Sequence, residues 1–188
     1  MLAAEPLVPP ATTAAPADAS EPHFHALVAE YSAALSRLAR GYEADATRQQ
    51  DLIQEILVAL WSALPSFEGR SSTRTWLYRI AHNVAVSHVI KRGRDRLARA
   101  IPIEDDDAIV LLARDAAREI EGRDAVQRLG ALVRALRPAD AQLIMLYLEG
   151  LEHAEIADVT GLSRENVAVK VHRIKAALTR ALGEGGRR

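Results

Sequence analysis

The chain has 188 residues, with 24 lysine and arginine residues against 25 aspartate and glutamate residues, and it contains no cysteine. This balance excludes a uniformly basic protein that coats nucleic acid, and the lack of cysteine excludes disulfides, thiolate metal sites and cysteine nucleophiles. Hydrophobic residues make up 49% of the chain but aromatic residues only 4%, so we expect a core of Leu, Ile, Val and Ala.

The N-terminal segment is marked by proline, because five of the eight prolines lie in the first 22 residues, among Ala, Thr and Ser. Such a segment buries too little surface to offset the entropy of ordering, so residues 1–21 are predicted to be disordered. The segment lacks the pattern of a signal peptide, and no apolar run in the chain approaches the ~20 residues of a membrane span. We therefore expect a soluble, cytoplasmic protein.

Beyond this tail, apolar residues recur at the three- and four-residue spacing of amphipathic helices. The stripes cover residues 52–64, 77–88, 143–147 and 167–182. The first, third and fourth stripes end at the helix breakers Pro65, Gly150 and Gly183, and no segment shows the alternation of a strand. The pattern predicts an all-α protein.

The breaks in the pattern predict two small helical domains joined by a flexible acidic linker. The expected parts are a tail (1–21), a first domain (22–94), the linker (95–125), a second domain (126–183) and a short tail (184–188).

Charge is segregated into alternating blocks. Residues 70–99 hold eight basic residues against one acid, and residues 160–188 hold seven against two. Between them, residues 104–124 hold eight acids against three bases, and residues 139–159 hold five acids and no base. Two basic blocks suggest two sites on one polyanion, although solvated helix faces would explain any single block. The acidic blocks would mask the basic ones in the free protein, which would then bind DNA poorly.

The segment that starts at His153 reads HAEIADVTGLSRENVAVKVHRIKAAL, which is typical of a helix-turn-helix. Ile156 would face the second helix, and Gly161 would take the left-handed turn conformation. Ser163 would cap the second helix, and Val167 would pack back onto the first. A helix hairpin without a ligand is the alternative, but this ordered set favours DNA binding.

The second helix of this motif would present its N-terminal residues to base edges in the major groove. Arg164 and Glu165 are expected to contact bases, whereas Lys170, Arg173 and Lys175 are expected mainly to hold phosphates.

A more discriminating pattern lies in residues 47–92. The first helix there exposes an acidic, amide-bearing face made of Asp51, Gln54, Glu55 and Val58. This face suits a basic partner helix, although residue types alone favour plain solvation.

Four aromatic residues lie beside the first basic block: Trp61, Phe67, Trp76 and Tyr78. Interleaved with Arg74 and Arg79, they suit unpaired bases, which stack for about 1–3 kcal/mol each. Trp61 is expected in the core, and for Trp76 a core role and a stacking role are equally favoured. The helix after the loop would be capped by Thr73 or by Ser72.

Two parts of the chain resemble the extracytoplasmic-function (ECF) sigma factors of bacterial RNA polymerase. DLIQEILVALWSALPSF and STRTWLYRIAHNVAVSHVIKR resemble region two of that family, and LRPADAQLIMLYLEGLEHAEIADVTGLSRENVAVKVHRIKAALTRAL resembles region four. The resemblance covers residues 23–92 and 128–182. The second helix departs from the family where Ala168 replaces a frequent basic residue and where Val169 and Ile174 are unusually apolar, which leaves the −35 sequence open.

The resemblance implies three sets of contact residues. Core-polymerase binding is implied for Asp51, Gln54, Glu55 and Val58. Contact with the −10 element is implied for Phe67, Arg70, Ser71, Ser72, Arg74, Trp76, Arg79 and Asn83. Contact with the −35 element is implied for Ser163, Arg164, Glu165, Asn166, Lys170, His172 and Arg173. The acidic stretch from Glu104 to Asp107 is similar to the segment that the family threads along the polymerase channels.

The implied function is promoter-specific initiation of transcription, with core RNA polymerase and promoter DNA as partners and an anti-sigma factor, often membrane-bound, as a further one. No catalytic residue, metal, cofactor or small-molecule substrate is expected, since no nucleophile, phosphate-binding loop or ligand cluster is evident. A stand-alone dimeric helix-turn-helix regulator is the alternative, and it leaves the acidic face and the aromatic residues unexplained.

Overall fold

The computed structural model describes residues 17–92, here the first half, and residues 125–184, the second half. The first half contains three helices: α1 (Ala17–Tyr42), α2 (Ala46–Ala63) and α3 (Thr73–Arg92). The second half contains four: α4 (Ala125–Ala135), α5 (Pro138–Leu148), α6 (His153–Thr160) and α7 (Arg164–Glu184). The all-α prediction is confirmed for these residues. The predicted linker, apart from Ala125, lies outside them, and so do residues 1–16 and 185–188.

The end of helix α2 agrees with the break that the sequence predicts at Pro65. The helix begins after Asp45, whose carboxylate oxygen Oδ1 accepts a hydrogen bond from the Arg48 main-chain N–H at 3.0 Å. It ends at Ala63, and a short 3-10 turn that contains Pro65 follows. The cap satisfies one N–H at the helix start, and proline stops the helix at the other end.

Two helix ends differ from the prediction. Helix α1 begins at Ala17, so residues 17–21 are helical although they were expected to be disordered. Pro22 is tolerated there because it removes only one hydrogen bond close to the helix start, and the buried stripe that holds α1 begins soon after, at Leu27. Helix α7 continues through Gly183 to Glu184, because one glycine costs a helix only about 1 kcal/mol.

The core of the first half is built from aliphatic side chains, as the composition predicts. Its largest fully buried side chains are Leu35, Leu38, Leu52, Ile56, Leu60, Leu77 and His82. The small residues Ala39, Ala81 and Ala85 are also fully buried, which lets α1, α2 and α3 approach one another closely. Each buried Leu or Ile contributes about 1.5–3 kcal/mol to stability.

Helix α5 is the centre of the second half. It packs against α4, α6 and α7, and also against α1 and α3 of the first half. Residues 140–146 are all buried, and the carboxylate of Asp140 is paired with Arg137 at 2.8 Å. A helix that is covered on all sides is apolar all round rather than striped.

The two halves pack directly against each other. Helix α1 contacts α4 and α5, and helix α3 contacts α5 and α6. Gly41 permits part of this approach, because a Cβ atom there would lie 2.5 Å from the Cε atom of Met145. The turn between α5 and α6 lies against α3, because Arg74 of α3 contacts the main-chain carbonyl of Glu149 in that turn. No helix among the described residues combines the length and apolar character that crossing a membrane requires.

One buried polar pair joins α1 to α3. The hydroxyl of Tyr42 and Nδ1 of His82 are 3.0 Å apart and share a hydrogen bond inside the core. Burial lowers the pKa of His82 to about 3, so this imidazole is neutral in the folded protein. Burial also raises the pKa of Tyr42.

This pair predicts a pH-dependent stability. Between pH 6.5 and 3 the unfolded chain binds a proton at His82 and the folded chain does not, so stability falls on acidification by up to ~1.4 kcal/mol per pH unit. Urea unfolding at pH 7 and pH 5 would compare the wild type with the double variant Tyr42→Phe/His82→Leu. We expect the pH-dependent loss to be about 2 kcal/mol smaller in the variant. Equal losses in the two proteins would contradict the buried neutral histidine.

Candidate nucleic-acid interface

Helices α6 and α7 form the helix-turn-helix that the sequence predicts. Gly161 ends α6 in the left-handed region, with φ +74°, and Ser163 Oγ accepts a hydrogen bond from the Asn166 main-chain N–H at 3.2 Å. Ile156 of α6 and Val167 of α7 are fully buried against each other's helices. The turn geometry and the cap therefore fix the direction in which α7 leaves α6.

The polar side of α7 is open to solvent. Six of the seven residues expected to contact the −35 element are exposed: Ser163, Arg164, Glu165, Asn166, His172 and Arg173. Lys170 is half-buried. Of the two unusual apolar residues, Val169 is exposed on this side, whereas Ile174 is buried because it continues the stripe of Val167. The residues that are expected to contact the −35 element are thus mostly accessible at the start and along the polar side of α7.

Lys175, which was expected to hold a phosphate, is engaged within the protein. Its Nζ atom donates to the hydroxyl of Tyr147 at 2.8 Å and lies 4.6 Å from the centre of the same ring. This contact ties α7 to α5.

An aromatic ring of the loop between α2 and α3 packs against a ring of α3. The centroids of Phe67 and Trp76 are 4.8 Å apart, and both side chains are half-buried. Ser72 is the cap of α3, because its Oγ atom accepts from the Thr75 N–H at 3.1 Å. Arg70, near the tip of the loop, is exposed and paired with Glu68. The loop therefore presents a stacking surface with accessible cations beside it.

Trp61 is not a core residue, and the prediction of its burial is wrong. Its side chain is 41% exposed and meets Phe24 edge to face at 5.1 Å between centroids. Trp61 lies three residues after Val58 and seven after Gln54, which are also exposed, so all three share one side of α2. This helical spacing predicts that Trp61 is exposed, but the prediction of burial relied on the high average burial of tryptophan.

The acidic face of α2 is accessible and one of its carboxylates is fixed. Gln54, Glu55 and Val58 are exposed, whereas Asp51 is half-buried. The Nδ1 atom of His88 donates to Glu55 Oε2 at 3.0 Å, and the imidazole itself is buried. Sequence reasoning did not predict this support from α3.

Two arginines that are expected to contact the −10 element also contact the second half of the chain. Arg74 of α3 donates through Nη2 to the main-chain carbonyl of Glu149. Arg79 donates through Nη2 to the main-chain carbonyl of Asp158 at 2.9 Å. Asn83, further along α3, is exposed.

The side chain of Glu149 is a second point of contact between the halves. Arg37 of α1 donates to both carboxylate oxygens, at 2.6 and 2.7 Å, and the Tyr78 hydroxyl donates to Oε2 at 3.0 Å. Burial would raise the pKa of Glu149, but the hydrogen bonds from Arg37 and Tyr78 and the charges of Arg37 and Arg74 outweigh it and hold the pKa below its usual range. No motif or spacing in the sequence predicted this cluster. Glu149 with Arg37, Arg74 and Tyr78 is called the Glu149 cluster below.

Comparison with known proteins identifies both halves. Residues 27–95 match the family described as Sigma-70 region 2, and residues 126–178 match Sigma-70, region 4. The chain is 32% identical over 170 residues to the RNA polymerase sigma-H factor of Pseudomonas aeruginosa, which covers 85% of this chain and 86% of that protein. It is 29% identical over 166 residues to the ECF RNA polymerase sigma-E factor of Escherichia coli K12, covering 82% and 84% of the two chains.

A solved structure shows the same fold. The chain resembles CnrH, solved in complex with the cytosolic domain of CnrY, with a TM-score of 0.58 and 26% identity over 89% of this chain and 94% of that one. The chain has a region-two helical unit followed by a helix-turn-helix, and it is similar along most of its length to named sigma factors. It therefore belongs to the ECF group of bacterial RNA polymerase sigma factors, which direct transcription initiation at promoters.

Proposed function

We propose that this chain binds core RNA polymerase through α2, reads the −35 element through α7, and opens and holds the −10 element through the loop after α2 and helix α3. One observation carries the proposal. Helix α2, which carries the exposed acidic face, packs against α3, which carries Trp76, and Phe67 lies in the loop that joins the two helices, so a polymerase bound to α2 would hold promoter DNA near the aromatic pair.

Recognition of duplex DNA is assigned to the start of α7. Arg164 and Asn166 are exposed in its first turn, where a guanidinium suits guanine and a carboxamide suits adenine. The free N–H groups and the dipole of the same turn favour a nearby phosphate. Base reading and backbone positioning thus share one helix end.

Strand opening is assigned to the first half and is driven by binding energy. Phe67 and Trp76 offer ring surface for unstacked bases. Arg74 and Arg79 each donate through Nη2 to a main-chain carbonyl, and the remaining N–H groups of their guanidinium groups are assigned to phosphates. The chain has no nucleotide-binding loop, so no ATP is used in this proposal, and the polymerase performs the catalysis.

Polymerase binding is assigned to Asp51, Gln54, Glu55 and Val58, and the structure supports adding Trp61. Val58 is 66% exposed, and Trp61 extends the same surface by one turn. An apolar centre ringed by acidic and amide groups fits a partner helix that carries basic residues.

A regulator that binds this chain is part of the proposal. CnrH is solved with the cytosolic domain of CnrY, and a cytosolic domain is what a membrane-anchored regulator presents to a partner in the cytoplasm. We assign the chain to the cytoplasm, held at the membrane when an anti-sigma factor of this kind is bound. The dimeric-regulator alternative is not favoured, because it accounts for neither the region-two match nor the α2 surface.

The polymerase contact predicts the effect of Val58→Glu. The variant places a carboxylate without a partner at the centre of the interface, so we expect at least about a tenfold loss of affinity for core polymerase. The melting temperature should not change, because Val58 is exposed. Val169→Glu is the matched control, since Val169 is exposed on α7 and assigned to DNA. Wild-type affinity in Val58→Glu, measured by anisotropy of the labelled factor, would refute the α2 interface.

The −35 contacts predict different effects for two basic residues of α7. Holoenzyme carrying Arg164→Ala should lose its preference at one or two adjacent base pairs, by about 1–3 kcal/mol. Lys170→Ala should weaken all sequences alike and lower the slope of log affinity against log salt by about one. Selection from duplexes randomised at the −35 position would measure the base preference, and affinities at several salt concentrations would measure the slope. Identical base preferences in the wild type and Arg164→Ala would show that Arg164 reads no base.

A further inference from the structure

A buried imidazole lies between two carboxylates in the first half. Only 1% of the side chain of His88, on α3, is exposed. Its Nδ1 atom donates to Glu55 Oε2 at 3.0 Å, whereas its Nε2 atom lies 3.6 Å from Glu43 Oε1, beyond hydrogen-bond distance. Glu43 directly follows α1 and is buried. The ring thus lies between a buried carboxylate and a carboxylate on the surface of α2.

The packing of α3 does not by itself account for a polar ring at this position. The neighbouring core positions of α3, Ala85 and Val89, are apolar. The Nε2 atom of His88 is buried and makes no hydrogen bond with the residues that the structure describes. A buried polar atom without a hydrogen bond costs free energy, and a leucine would fill this place without that cost. The bond from Nδ1 to Glu55 is therefore the contact in which the polarity of the ring is fully used.

The carboxylate of Glu55 is held by one oxygen and open at the other. About half of the side chain, 49%, is exposed, and Oε1 has no hydrogen-bond partner within residues 17–92 and 125–184. Ordering a flexible side chain of this kind when a partner binds lowers affinity by about twofold to tenfold. Because the ring of His88 is fixed in the core, its hydrogen bond selects one orientation of Glu55 before the partner arrives.

We propose that His88 is a positioning residue for the polymerase contact: it holds Glu55 on the surface of α2 with Oε1 turned outward to accept from a basic side chain of the polymerase. This inference rests on the proposed function of α2. The ring itself is buried, so it acts through Glu55 and does not touch the polymerase.

Two substitutions of His88 separate positioning from packing. His88→Leu removes the donor, whereas His88→Asn carries an amide nitrogen on Cγ, in the place of Nδ1. Both variants remove the part of the ring that reaches toward Glu43. Measured by anisotropy of the labelled full-length chain with core polymerase, we expect about a fivefold loss of affinity in His88→Leu and less than twofold in His88→Asn. A merely structural role would affect the two variants alike, and equal affinities would overturn the proposal.

A double-mutant cycle tests whether His88 acts through Glu55. We expect Glu55→Ala to weaken polymerase binding and His88→Leu to cause no further loss in that background. The control is Tyr42→Phe/His82→Leu, which removes another buried histidine of α3 but no contact with α2, and which should bind polymerase as the wild type does. Circular dichroism would confirm that every variant is folded at the temperature used. Equal losses from His88→Leu with and without Glu55 would overturn the proposal.

Nuclear magnetic resonance of the free chain tests the hydrogen bond without polymerase. In protein labelled with 15N-histidine, we expect the Nδ1–H resonance of His88 to shift in Glu55→Ala. The matched control is Glu165→Ala, which removes an exposed carboxylate on α7 and should leave the resonance in place. An unchanged resonance in Glu55→Ala would overturn the positioning role.

The variant Val58→Glu separates this inference from the proposed function. Wild-type affinity of His88→Leu together with weak binding of Val58→Glu would overturn the positioning role and leave the α2 interface intact. Wild-type affinity of both Val58→Glu and Glu55→Ala would refute the α2 interface itself, and the positioning role with it.

Discussion

The contact between Glu149 and Arg37 is the constraint on which the arrangement of the molecule depends. It joins residues 112 positions apart, and each carboxylate oxygen of Glu149 accepts a hydrogen bond from the guanidinium. Tyr78 and Arg74 add donors from α3, so α1 and α3 are both tied to the end of α5. Because Glu149 is mostly buried, replacing these donors by water would require the halves to part. The two sigma regions are thus coupled through one carboxylate.

Because the two halves are in contact, some of the chain's surfaces face solvent and others face the opposite half. The α2 surface around Val58 and the start of α7 at Arg164 face solvent, whereas Arg74 and Arg79 are turned toward the second half.

Local features of the sequence were sufficient for the elements and for the helix-turn-helix. Gly161 and Ser163 each determine the backbone of their own turn, so their roles follow from residue type and spacing. The placement of Trp61 failed because the average burial of tryptophan was preferred to its helical spacing with Val58. The Glu149 cluster could not be predicted from the sequence. Blocks of opposite charge predict that acidic and basic segments meet, but they do not identify which residues pair across 112 positions.

The central claim, that this chain is a promoter-directing subunit, is tested most directly by mapping transcript starts. Purified chain and core RNA polymerase would be incubated with a library of bacterial genomic fragments, and the 5′ ends of the RNA would be sequenced. The account predicts starts that need the chain and that share one pair of −35 and −10 elements upstream. Starts that do not depend on the chain, or binding of a symmetric duplex site without polymerase, would contradict it.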